Sequence, residues 1–220
     1  MCFSPQGDLA GGLVVTAIGV DAMRHIQNRN SHLLLATTPL LLGAHQLDES
    51  LVWWSLRGDV PHELGRIAMW IYLVIALVVV PVLVPLAIWK LEPPGRRRWS
   101  ILPFLLLGSA VAGVLLATMV RGPVTVRLAP YHLAYSIGLQ HGILIVGLYV
   151  VATCGSLLFS GFRHVLVFGL GNLVVVITLA ALAADGFASL WCFYAALASG
   201  AITLHMRYAK RHRNEPYALT

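Results

Sequence analysis

Long apolar runs broken by short polar, basic or proline-bearing segments dominate the pattern of this chain. Runs suited to crossing a bilayer lie at Leu9–Ile26, Leu33–Leu56, Gly65–Trp89, Ser100–Val120, Gly142–Ser160, Val165–Ala184 and Phe187–Met206. Each comes close to the roughly 20 residues that a hydrocarbon core requires. The pattern predicts an all-α integral membrane bundle of seven transmembrane helices over residues 1–206, followed by a basic tail, 207–220. The first run is the most interrupted, with Asp21, Arg24 and His25 in its last turns. Pro81 and Pro85 share one face of the third run and predict a bent or broken helix there.

Composition agrees with this reading. Of 220 residues, 58% are hydrophobic and 11% charged, whereas a soluble domain carries about 25% charged residues. So few charges cannot cover a surface facing water. The net charge of +6 is concentrated between the runs, in Arg96-Arg97-Arg98 and from Arg207 to Arg213. That placement marks topology determinants and contacts to anionic lipid, and it argues against nucleic acid as a partner. Met1–Asp8 lacks a basic n-region, so no cleavable signal peptide is expected.

The basic residues also predict orientation. With the N-terminus outside, eleven Lys and Arg residues fall inside and four outside, namely Arg57, Arg66, Arg121 and Arg127. The excess predicts an external N-terminus and a cytoplasmic C-terminus. Lys210, Arg211 and Arg213 of the tail would then sit against anionic headgroups. Segment Arg121–His141 becomes an outer loop that either caps the mouth of the bundle or merely joins two helices.

Against this background, His45-Gln46-Leu47-Asp48-Glu49 stands out. Each charged group near a bilayer centre opposes insertion by about 2.5–3.5 kcal/mol, so a spanning helix retains such groups where they face a partner or a wet cavity. His45 and Glu49 share a helix face, with Asp48 beside them. Glu49 lies about 10 Å below the outer end of its run. By depth, His132, His141, Asp185, Trp191, Cys192 and the external Cys2 reach the same outer level. His45, Glu49, His132, His141 and Trp191 are therefore candidates for an outward-facing ligand pocket. Cys2, His45, Glu49, His141 and Cys192 are candidate metal ligands, a donor set that suits zinc or copper. Cys154 reads as an inert buried thiol. Gly138 and Gly142, and Ala196 and Gly200, are spaced for close helix packing.

Three functions fit these residues. The first is a pocket binding a metal ion or small ligand. The second is an enzyme acting on a lipidic substrate with Glu49, or Asp48, as general acid or base, in the manner of small seven-pass terpene cyclases. The third is a proton-coupled carrier or channel using His45, Asp48 and Glu49 as a relay. A retinal-binding opsin is excluded because the last run has no central lysine, and phosphate-binding loops and paired-cysteine motifs are absent.

Several motifs recur together: Met1-Cys2-Phe3-Ser4, Gln46-Leu47-Asp48-Glu49 with Val52-Trp53, the Pro81/Pro85 pair before Leu91-Glu92-Pro93, and Ser189-Leu190-Trp191-Cys192-Phe193. In this combination the chain resembles a family of small multi-pass bacterial membrane proteins of unknown function. The resemblance implies a shared multi-pass fold and draws attention to Cys2, Glu49 and Cys192. It implies no activity, substrate or cofactor.

Overall fold

Ser4 starts the first helix. Its hydroxyl accepts a hydrogen bond from the Gly7 amide (3.1 Å) and Pro5 occupies the first helical position, where a missing N–H costs nothing. From there a computed structural model describes residues 4–26, 29–129, 132–182 and 198–204. Helix α1 (Pro5–Arg24) is followed by α2 (Arg29–Arg57). Helix α3 (His62–Val74), a π-helical turn (Ile75–Val79) and α4 (Val80–Leu91) form one continuous rod of 30 residues. Helix α5 (Arg96–Arg121) leads into a hairpin of strands β1 (Thr125–Leu128) and β2 (Leu133–Ser136), and then come α6 (Gly142–Leu158) and α7 (Arg163–Leu182). Residues 198–204 are helical and contact α1, where the Thr203 hydroxyl donates to the Ile18 carbonyl (3.2 Å). The architecture is all-α apart from the hairpin. Two helices, His62–Leu91 and Arg96–Arg121, are long and apolar enough to cross a membrane.

Small residues set the closest helix contact. Along α1, Pro5, Asp8, Gly12, Val15, Gly19 and Ala22 form one buried stripe. A Cβ at Gly12 would lie 2.8 Å from the Leu47 side chain, one at Gly19 2.7 Å from the Leu40 amide, and one at Gly43 2.3 Å from the Thr16 hydroxyl. These contacts run in opposite directions along the two chains, so α1 and α2 are antiparallel and nearly backbone to backbone. The expected packing pair Gly138/Gly142 is not one. Gly138 lies outside any helix with φ +64°, a conformation that favours glycine, and Gly142 only opens α6.

The proline pair does not break the helix, which continues through it with a π-helical turn just before. In the π register the Val80 amide bonds the Ile75 carbonyl, so residue 81 would serve Ala76. Pro81 has no N–H to give, and the Tyr149 hydroxyl of α6 donates to the Ala76 carbonyl instead (2.9 Å). Pro85 likewise leaves the Pro81 carbonyl without its helical donor. Gly108 of α5 meets it, at a spot where a Cβ would come within 2.0 Å of that oxygen. The prolines therefore dock this rod against α5 and α6 instead of forming a broken-helix site.

Two large apolar clusters fill the interior among the described residues, beside the small pair Val15 and Leu42. One, around Ala36, Ile88, Leu91 and Ile101, lies at the end bearing the α4–α5 turn. The other, around Val52, Trp53, Met69, Tyr72, Met119 and Leu133, lies at the hairpin end. At the first end, buried Glu92 accepts hydrogen bonds from the Ser160 hydroxyl (2.6 Å) and the Gly161 amide (2.7 Å), tying the α4–α5 turn to the α6–α7 turn. Outward faces of α5, α6 and α7 expose large apolar side chains, among them Leu106, Val120, Ile143, Val151 and Val174.

This docking makes a prediction. Tyr149→Phe leaves the part-buried Ala76 carbonyl without this donor and should cost about 1 kcal/mol. Gly108→Ala should cost about 1–3 kcal/mol by overpacking against Pro81. Thermal unfolding in detergent checks both, and unchanged midpoints would contradict this account of the π turn.

Candidate functional site

The polar turn of α2 is enclosed on its long sides. His45, Gln46, Glu49 and Ser50 expose at most 2% of their surface. Gln46 faces α1, where its Oε1 would lie 2.9 Å from a Cβ on Gly11. The Ser50 hydroxyl is satisfied locally by the Leu47 carbonyl (2.6 Å). Asp8 of α1 is equally buried, at 1% exposure. Continuing the Gly19–Leu40, Thr16–Gly43, Gly12–Leu47 register by one turn brings Asp8 level with Ser50 and Leu51, in the turn that also carries Glu49. Two buried carboxylates, Asp8 and Glu49, thus lie near one level of the bundle, and His45 lies one turn away along α2.

His45 faces α3. Its ring stacks on Tyr72 with centroids 3.9 Å apart and planes 19° apart. Tyr72 in turn stacks on Tyr135 of the hairpin, at 4.6 Å and 14°. The hairpin reaches this position because β1 and β2 pair from Thr125↔Ser136 to Leu128↔Leu133. That pairing puts Leu133, and Ile137 just beyond it, into the cluster with Val52, Trp53 and Met69. Of the two readings of segment 121–141, the cap is the one realised: the segment is a folded hairpin laid on the bundle end. Its apolar residues hold it there, and Tyr135 continues the column that begins at His45.

On α2, three buried polar atoms have no hydrogen-bond partner among the described residues: His45 Nε2, Asp48 Oδ2 and Trp53 Nε1. Such groups cost about 1–3 kcal/mol each when left unmade, and native proteins hold few of them. All three side chains belong to α2, within little more than two helical turns. Trp53 also carries the Arg57 guanidinium over its ring at 5.4 Å.

The remaining candidates are distributed differently. His132 sits at the hairpin turn, where its carbonyl accepts from the Ala129 amide (2.9 Å), and its Nε2 is buried without a partner. His141 is exposed and adopts a left-handed conformation (φ 55°) as the N-cap of α6. Among the described residues, no group of three or more His, Cys, Asp and Glu side chains is placed to hold a metal ion. Cys2, Asp185, Trp191, Cys192 and the tail 207–220 lie outside the described residues. Cys154 is buried as expected and accepts a hydrogen bond from Asn172 Nδ2 (3.4 Å).

Sequence reasoning missed Asp8, Tyr72, Tyr135 and the role of Trp53 beyond an interfacial belt. For Asp8 a signal was available, since it falls in step with Gly12, Val15 and Gly19 on the small-residue stripe. For the tyrosines there was none, because stacking joins residues 63 positions apart in the chain.

Comparison with known proteins adds a family but no activity. The model of a family of unknown function, DUF6629, matches residues 1–218. No curated protein and no solved structure matches the chain.

Proposed function

Because the chain belongs to this family of unknown function, its role must come from its own residues, and we propose that it is a multi-pass membrane protein that binds a small polar ligand beneath its hairpin. In this reading the seven apolar runs span a bacterial cytoplasmic membrane, with the N-terminus and hairpin outside and the tail in the cytoplasm. The excess of inner Lys and Arg supports the orientation, and the apolar outer faces of α5, α6 and α7 suit contact with lipid.

One observation carries the binding proposal: His45 Nε2, Asp48 Oδ2 and Trp53 Nε1 are buried and unpartnered on one stretch of α2. A ligand that answers them must accept from the Trp53 N–H, donate to the Asp48 carboxyl or share a proton with it, and complement the imidazole. A small hydroxylated or amide-bearing molecule does this. A bare metal ion does not, because an indole N–H is a donor only. A zinc or copper site at His45 and Glu49 would need further ligands, and the remaining candidates Cys2 and Cys192 belong to the undescribed part of the chain.

Native mass spectrometry of the detergent-solubilised protein tests the ligand. The expected result is a small bound molecule whose occupancy falls at least about tenfold in Trp53→Phe and His45→Leu, the loss of one or two buried hydrogen bonds. If the site is only structural, Trp53→Phe removes an unmet donor and raises the unfolding temperature with no change in bound mass, which would sink the proposal. Topology has its own test: a reporter active only in the cytoplasm should be active at the C-terminus, and an inactive one reverses the orientation.

A further inference from the structure

A second site opens at the hairpin end. A crevice of about 250 Å³ runs between the last turn of α2, the first two turns of α3 and the chain entering β1. Val52, Leu56 and Met69 form an apolar floor, and Ser55, His62, Arg66 and Thr125 give it a polar rim. Beside the floor, Gly65 sits against the Ser55 side chain, where a Cβ would fall 2.0 Å from the hydroxyl oxygen.

The charge at the rim points to the occupant. Arg66 pairs with Glu63 one turn before it, but the two side chains are 59% and 69% exposed. An exposed pair of this kind contributes about 0–1 kcal/mol, so the guanidinium can turn to another anion at little cost. A phosphate or carboxylate offers it two parallel hydrogen bonds. The Pro61 carbonyl already accepts from the Leu64 and Gly65 amides (3.0 and 3.3 Å), so helix α3 adds only the positive end of its dipole, at the His62 side of the rim. The apolar floor has no use for a free inorganic anion. It suits the carbon chain that an amphiphile carries behind its headgroup.

We propose that this crevice binds an anionic amphiphile, with the headgroup on Arg66 and His62 and the chain over Val52, Leu56 and Met69. The site is distinct from the polar layer of α2 and adds a ligand class to the protein. A phospholipid of the surrounding leaflet is the source to which the geometry commits.

Calorimetric titration of the detergent-solubilised full chain tests this with dihexanoyl phosphatidylglycerol, dihexanoyl phosphatidylcholine and inorganic phosphate. The expected result is saturable binding of the phosphatidylglycerol, at least about tenfold weaker binding of the phosphatidylcholine, and none of phosphate. Arg66→Gln should weaken the phosphatidylglycerol about tenfold with an unchanged unfolding temperature, and Glu63→Gln should tighten it by freeing the guanidinium. Equal binding of the two lipids, or no response to both substitutions, overturns the proposal. Phosphate binding as tightly as phosphatidylglycerol overturns the amphiphile in favour of a free anion.

Discussion

The burial of one polar turn in an apolar bundle is the constraint on which the rest of this structure depends. His45, Gln46, Glu49 and Ser50 occupy the interior of α2 with almost no exposed surface, and each neighbour is shaped by the need to enclose them. Helix α1 approaches through Gly11, Gly12 and Gly19, which lets its backbone lie against α2 and places Asp8 at the same level. Helix α3 presents Tyr72 to the imidazole. The hairpin closes the end with Tyr135, Leu133 and Ile137. Removing any of these walls would open a low-dielectric interior to water or leave ionisable groups without compensation, which is costly in either medium.

The remainder of the bundle holds those walls in register. The rod containing Tyr72 carries two prolines, and each frees a carbonyl that a neighbouring helix meets: Ala76 by the Tyr149 hydroxyl, and Pro81 by the bare backbone at Gly108. These contacts fix the rod against α5 and α6. At the far end Glu92 joins two turns through Ser160 and Gly161, so the rod that carries Tyr72 is tied down at that end as well.

Much of the fold was legible in the sequence because its signal is simple. Six predicted apolar runs coincide with α1, α2, the α3–α4 rod, α5, α6 and α7, and residues 198–204 fall in the seventh. His45 and Glu49 were legible for the same reason, since ionisable groups inside an apolar run contradict their surroundings. Asp8 was passed over although it falls in step with Gly12, Val15 and Gly19, because an acidic residue in a first helical turn is ordinary and favoured by the helix dipole. The hairpin was read only as a loop, since four-residue strands leave too short an alternation to register. The prolines were read as a bend or break, and the sequence held no sign that Tyr149, 73 residues away from Ala76, would restore the lost hydrogen bond.

The most direct measurement is a cryo-electron microscopy map of the protein in lipid nanodiscs, at a resolution that separates small molecules from side chains. The account predicts non-protein density in hydrogen-bonding contact with His45 Nε2 and Trp53 Nε1, enclosed by the Tyr72–Tyr135 stack. A map in which both atoms instead bond to neighbouring helices, with nothing between them, would contradict it.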